Sequence, residues 1–228
     1  LHCQGQLRSG DYVLPGDVSS QFVSALLLAL PLLSGDSTLT LTSAPESAPY
    51  IAMTEEVLAA AGISLYRTGS RYRIPGGQRY RLPSHLTVEG DWSSAAFFLC
   101  AGAMSREGIT VDGLSLPTRQ GDSALLPLLR QMGAEVNLSS GCITVRKGRL
   151  RATDIDARPI PDLIPPLSVL AAAAEGGSHI QNARRLRYKE SDRLQGIAEL
   201  LNSLGGCLTV DGDGLLIHGV SHLRGGTV

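Results

Sequence analysis

The chain has 228 residues, 43% of them apolar and 18% charged, a composition that supports a globular fold with a substantial core and excludes a disordered chain. A net charge of −1 and 4% aromatic residues exclude bulk attraction to nucleic acid and a base-stacking platform, so any anion site must be local. No apolar run is long enough to span a bilayer: the most apolar, residues 22–33, is interrupted by Ser24 and Pro31 and reads as a buried helix.

Taken in order, the elements repeat. A strand-like run, Tyr12-Val13-Leu14, precedes Gly16-Asp17-Val18-Ser19-Ser20, which opens a long apolar helix. Gly35 then precedes a β-rich run over residues 37–43, and a second helix through Val57-Leu58-Ala59 stops at Gly62. A β-hairpin is predicted from residues 63–66 with 72–74. The same order returns from Leu86-Thr87-Val88 and Gly90-Asp91-Trp92-Ser93-Ser94: Gly108 before residues 109–111, a helix stopping at Gly133, and a hairpin of residues 135–138 with 142–146. In the third pass Gly177 precedes His179-Ile180, a helix stops at Gly205, and residues 207–210 pair with 215–218.

The closing glycines are 71 and 72 residues apart and the Gly-Asp-x-Ser-Ser motifs 74 apart, which predicts three βαβαββ units, helices in a shared core and sheets outside. Gly76-Gly77-Gln78-Arg79-Tyr80-Arg81-Leu82-Pro83 interrupts the periodicity and reads as the join between units one and two. Ser93 and Asp162 each lie 15 residues before the glycine that follows their helix, Gly108 and Gly177, so Asp162 should occupy the slot of a helix-capping serine. Ser47 and Glu190 likewise lie 15 residues before Gly62 and Gly205. Polar residues thus occupy equivalent helix starts, as an asymmetric site on a symmetric scaffold requires.

Two helix starts carry chemistry. Ser19-Ser20-Gln21 offers two hydroxyls, a side-chain amide and free backbone N–H groups, suited to a phosphate or carboxylate. Ser93-Ser94 is followed by Ala95-Ala96 and reads as structural. Arg187-Tyr188-Lys189-Glu190-Ser191-Asp192-Arg193-Leu194 places cations, carboxylates and a hydroxyl before an amphipathic helix that Ser191 or Asp192 can cap and Gly205-Gly206 ends. Such a cluster at the positive end of a helix dipole suits an enzyme that holds an anion and moves protons. The cysteines (Cys3, Cys100, Cys142, Cys207) form no C-x-x-C pair and are expected to be reduced thiols of a cytoplasmic protein. His218 and His222 lack a second ligand pair, so no metal site is expected. No signal peptide is visible, the chain does not begin with Met, and it ends in Gly-Gly-Thr-Val after a strand-like run; it reads as a fragment or a processed chain.

Gly16-Asp17-Val18-Ser19-Ser20-Gln21-Phe22, Ser47-Ala48-Pro49-Tyr50-Ile51, Ile160-Pro161-Asp162 and Lys189-Glu190-Ser191-Asp192-Arg193, in this order and with these gaps, closely resemble the enolpyruvyl transferases that make 5-enolpyruvylshikimate 3-phosphate. The resemblance implies an α/β (α+β) fold, an inside-out barrel of six βαβαββ units in two globular domains, with three units here: one in residues 1–78 from the first domain and two in residues 79–228 from the second. It implies a cofactor-independent carboxyvinyl transferase that joins phosphoenolpyruvate to the 5-hydroxyl of shikimate 3-phosphate and releases phosphate. Carried over, Ser19, Ser20, Gln21 and Ser47 would hold the phosphate and hydroxyls of shikimate 3-phosphate, with Tyr50 beside them. Asp162 would take the proton of the 5-hydroxyl, Glu190 would exchange one with the phosphoenolpyruvate methylene, and Lys189 and Arg193 would bind the anions. Arg185 stands where many relatives have a sugar-contacting asparagine and is included among the binding residues. The family's amino-terminal lysine and arginine motifs, its Asp-His-Arg stretch and its final lysine are absent, so a weak or inactive catalyst is expected. No nucleic-acid or membrane partner is expected; the parent would be a monomer, and this chain is able to self-associate through unit faces left uncovered. The alternatives are a non-catalytic structural fragment and, further off, the sister enzyme acting on UDP-N-acetylglucosamine, whose loop cysteine has no counterpart here.

Overall fold

The computed structural model describes His2 and residues 4–227; Cys3 lies outside the described residues. The chain divides into two compact units, Leu1–Thr87 and Val88–Val228.

The first unit runs β1 (Asp11–Leu14), α1 (Ser20–Ala29), β2 (Ser37–Leu41), α2 (Ala48–Ala60), β3 (Tyr66–Thr68) and β4 (Arg71–Ile74). Its sheet has the order β1-β2-β4-β3, parallel between β1 and β2 and antiparallel elsewhere. The parallel pair needs a crossover, and α1 supplies it. Alternation sets the inner face: Leu39 and Leu41 on β2 and Tyr72 and Ile74 on β4 are buried with Val23 and Leu27 of α1 and Ile51 and Leu58 of α2.

The second unit holds two repeats. α3 (Trp92–Met104), β5 (Ile109–Val111), α4 (Leu125–Gln131), β6 (Glu135–Ser139) and β7 (Cys142–Arg146) form the first, with sheet order β5-β7-β6. β8 (Ile155–Asp156), α5 (Ile164–Ala172), β9 (Gly177–Gln181), α6 (Arg193–Ser203), β10 (Cys207–Asp211) and β11 (Gly214–His218) form the other. Its sheet order, β8-β9-β11-β10, matches that of the first unit strand for strand. One hydrophobic core serves both repeats and includes Leu99, Leu129, Leu167, Leu170, Leu194 and Ile217.

The middle repeat departs from expectation. Residues 86–88 are irregular, so that repeat is αβαββ. Leu86 and Val88 are exposed, and an alternating run with no face to bury has little reason to pair. One backbone bond, from Gly90 N to Gly113 O at 2.8 Å, stands just past where the ladder would end.

The Gly76–Pro83 stretch proves to be part of the repeat and not a break in it. Beyond each hairpin the chain bonds back to the C-terminal end of the repeat's first helix or the turn after it: Gly77 N to Leu33 O, Lys147 N to Ser105 O, and Val220 N to Ala172 O, at 2.5, 3.0 and 2.8 Å. It then reaches the end of the second helix: Arg81 N to Ala61 O, Arg151 N to Met132 O, and Arg224 N to Leu204 O, at 2.8, 2.8 and 2.7 Å. A strap thus closes each repeat, and the first strap carries the chain to a division after Thr87. At Gly148 and Gly219 the strap passes so close that an added Cβ would lie 1.9 Å from Gly133 O and 1.6 Å from Ala174 O. Only glycine fits there.

Candidate active site

In a βαβα path through parallel strands, both helices begin at the same strand ends. In the first unit this places Ser19, Ser20 and Gln21, at the start of α1, on the same end as Ser47 and Tyr50, at the start of α2. Ser43 holds the two loops together: its Oγ accepts from Gly16 N and Asp17 N at 2.9 and 3.2 Å and donates to Asp17 Oδ1 at 2.7 Å. Glu46 N adds a bond to Gly16 O at 3.2 Å, and Gly16 has no room for a Cβ, which would lie 2.5 Å from Ser43 O. Ser19 caps α1, accepting from Gln21 N at 3.2 Å. Ser47 sits in the left-handed region, at φ 53°, and is buried, as Ser20 is. Backbone strain at a polar residue that starts a helix is the kind found at ligand sites.

The same logic places Asp162 and the 189–193 segment together in the second unit, because β8 and β9 are parallel and lead to α5 and α6. Asp162 lies in the 3-10 turn Pro161–Leu163 ahead of α5. Its Oδ1 accepts from Arg193 Nη1 at 2.8 Å and lies 3.6 Å from Lys189 Nζ. Arg193 uses its other amino group on Glu190 Oε2, at 2.9 Å. One planar guanidinium therefore bridges the two carboxylates expected to move protons. Asp192 caps α6, accepting from Gln195 N at 3.1 Å, and Ser191 does not take that place. Arg185 lies half-buried in the 3-10 turn Arg184–Tyr188 that leads to Lys189.

One expectation about caps needs correction. Asp91, not Ser93, caps α3: it accepts from Ser93 N at 2.9 Å and Ser94 Oγ at 2.6 Å. Ser93 is the second residue of the helix and gives its hydroxyl to Asp122 instead. The reason is that an Asp with extended backbone one residue ahead of the helix already takes the Ser93 amide.

Electrostatically the two acids differ. Glu190 is open to solvent, and a backbone amide and the Arg193 guanidinium hold its carboxyl below the usual carboxylate range. Asp162 is only 25% exposed and lies between two cations. Both cations are engaged by carboxylates, so an anion that reaches them must displace carboxylate oxygens.

The sequence model of EPSP synthase (3-phosphoshikimate 1-carboxyvinyltransferase) matches residues 1–228. The chain belongs to the EPSP synthase family. A 3-phosphoshikimate 1-carboxyvinyltransferase from Methanothrix thermoacetophila is 46% identical over 221 residues, covering 96% of this chain and 52% of its own length. One from Clostridium kluyveri is 43% identical over 231 residues, covering 100% of this chain and 53% of its own. The solved EPSP synthase of Acinetobacter baumannii superposes with a TM-score of 0.73 at 29% identity, over 94% of this chain and 49% of that one. An enolpyruvyl transferase from Streptomyces tendae, at 22% identity and TM-score 0.70 over 94% of this chain and 52% of its own, shares the fold. The chain thus spans about half the length of the curated relatives it matches.

Membership of the EPSP synthase family agrees with the βαβαββ repeat and with the enolpyruvyl transferase fold. Two groups stand out in the structure that the motifs did not single out for the site. Arg187 reaches Asp192 at 3.0 Å, Gly212 O at 2.6 Å and Asp213 at 3.9 Å, which anchors the Lys189–Arg193 segment to the turn between β10 and β11. Asp122 is the other. Among the described residues no group of three or more His, Cys, Asp or Glu is placed to hold a metal ion, and no helix is long and apolar enough to cross a membrane.

Proposed function

We propose that the chain carries part of the machinery that transfers the enolpyruvyl group of phosphoenolpyruvate to the 5-hydroxyl of shikimate 3-phosphate with release of phosphate. The observation that carries this reading is the Asp162–Arg193–Glu190 bridge with Lys189 at the start of α6, in a chain matched by the family over residues 1–228. Ser19, Ser20, Gln21 and Ser47, with Tyr50 beside them, take the phosphate and hydroxyls of shikimate 3-phosphate at two helix starts where the dipoles favour an anion. Arg185 contributes to the sugar's binding.

Asp162 accepts the 5-hydroxyl proton as the oxygen bonds to the central carbon of phosphoenolpyruvate, and the methylene carbon takes a proton from Glu190. Return of a methyl proton to Glu190 and cleavage of the carbon–oxygen bond to phosphate release the product, and the departing phosphate takes up the proton held by Asp162. Lys189 and Arg193 offset the charge on the way. A backbone amide and the Arg193 guanidinium together hold the Glu190 carboxyl low, so its turn as a donor requires substrate binding to loosen both contacts. The reading fits a chain of reduced thiols in the cytoplasm, needing no cofactor.

The chain's half-length relative to its family favours one other reading, a structural piece that binds nothing. Calorimetric titration with shikimate 3-phosphate separates the two. Weak binding that is lost in Ser20→Ala and in Lys189→Ala supports the enzymatic reading, each variant testing one unit. No heat at millimolar ligand overturns it for this chain, and tight binding of phosphoenolpyruvate alone contradicts the assigned roles.

A further inference from the structure

Between Leu186 and Leu194, both fully buried, the chain runs through residues 187–193 with no aliphatic side chain to seat it, and Tyr188, its one aromatic, is 72% exposed. Burial therefore fixes the two shoulders of this segment, while polar contacts must place Lys189 and Glu190 between them. Arg187 supplies such contacts. Its Nη1 donates to Asp192 Oδ2 at 3.0 Å and its Nη2 to Gly212 O at 2.6 Å, with Nε 3.9 Å from Asp213 Oδ1.

The carboxylate that Arg187 meets has a second task, since Asp192 Oδ1 accepts from Gln195 N at 3.1 Å and caps α6. Asp192 is thus a joint, one oxygen on the helix and one on Arg187, and the pair closes residues 188–191 into a short loop. The β10–β11 turn grips the base of that loop again: Asp213 O accepts from Ala183 N at 2.7 Å, just ahead of the 3-10 turn Arg184–Tyr188. An isolated surface ion pair would add little. Arg187 differs because its side chain is only 29% exposed and one planar fork joins two elements, with a backbone carbonyl among its acceptors. The loop it closes presents Glu190 Oε2 to Arg193 Nη2 at 2.9 Å and Lys189 Nζ to Asp162 Oδ1 at 3.6 Å.

We propose that Arg187 is a positioning residue for the proposed reaction: by clamping Asp192 to the β10–β11 turn it holds Glu190 on the Arg193 fork and Lys189 beside Asp162. The proposal rests on the roles assigned to Lys189 and Glu190. Glu190 is the reporter, because a backbone amide and Arg193 hold its carboxyl below the ordinary value and both contacts need the loop in place. Arg187→Lys keeps the charge and loses the fork, since a single ammonium cannot reproduce its two directed contacts. Carboxyl-carbon NMR titration of the 228-residue chain should show the Glu190 midpoint rising toward its ordinary 4.5 in this variant.

Asp192→Asn makes the same test from the other side, because the amide oxygen still caps α6 while the ion pair with Arg187 is lost. Removing a negative charge near Glu190 would by itself lower its midpoint, so a rise in this variant reports geometry. A clamp that serves stability alone would lower the melting temperature and leave Glu190 where it was. A Glu190 midpoint unmoved or lowered in Arg187→Lys overturns the proposal, whatever the melting temperature, and Asp192→Asn decides by the same criterion if that chain does not fold. A raised midpoint in a chain that gives no heat with shikimate 3-phosphate would sink the enzymatic reading and leave the clamp intact. Heat with an unmoved midpoint would sink the clamp alone.

Discussion

Arg193 shows how much one side chain organises. Its fork takes Asp162 and Glu190 at 2.8 and 2.9 Å, a geometry the point charge of a lysine cannot reproduce. In Arg193→Lys the Glu190 carboxyl should rise toward its ordinary value of 4.5, followed by carboxyl NMR, with the fold unchanged. The sign follows from linkage: a depressed carboxyl favours the folded state above its ordinary pKa, and the benefit is lost as pH falls through the folded value. A midpoint that stays depressed would mean that the backbone amide alone sets it. Asp91 obeys the same sign. Its hydroxyl bond from Ser94 lowers it first, ahead of the amides of α3, so its contribution is complete above 3.8 and declines in more acidic solution. Replacing it by Ala should cost about 1 kcal/mol in urea unfolding near neutral pH, and less when measured at acid pH.

At the scale of elements, glycines fall into two kinds that composition cannot tell apart. Gly148 sits in a strap with Gly133 O where its Cβ would go, whereas Gly196, inside α6, has open space around it. Gly148→Ala should therefore destabilise by more than about 2 kcal/mol, and Gly196→Ala should stabilise by about 0.5–1 kcal/mol, both read by denaturant titration. Equal effects would refute the steric argument. The same contrast explains what was legible in the sequence. Hydrophobic period and stop glycines gave the helices and hairpins, since each depends on neighbours in the chain: β7 at Cys142–Arg146 and β5 at Ile109–Val111 lie where they were expected. Straps, the Ser43 lock and the partnership of Ser93 with Asp122 depend on residues about twenty or more positions away, and no local pattern announces them. The Lys189–Arg193 motif was visible as a charge cluster, but that Arg193 ties Asp162 to Glu190 was not.

For the whole molecule, the apolar surface left uncovered is the telling feature. Phe22 on α1 and Phe97 with Phe98 on α3 are more than half exposed, on helices whose other faces are fully buried. Aromatic groups presented side by side favour association. Sedimentation should show a mass that grows with concentration, and the Phe97→Glu, Phe98→Glu double variant should reduce it; a concentration-independent monomer would count against exposed helix faces as contacts.

The straps set an order of events. Each clasps carbonyls that left the ribosome some forty residues earlier: Leu33 waits for Gly77, Ser105 for Lys147, and Ala172 for Val220. Until its strap emerges, a repeat has its helices and hairpin but an open seam, and it closes in one late step. A growing chain of this kind gains stability in three instalments, and its vulnerable moments, to proteases or to a neighbouring chain's strap, come just before residues 77, 147 and 220 emerge.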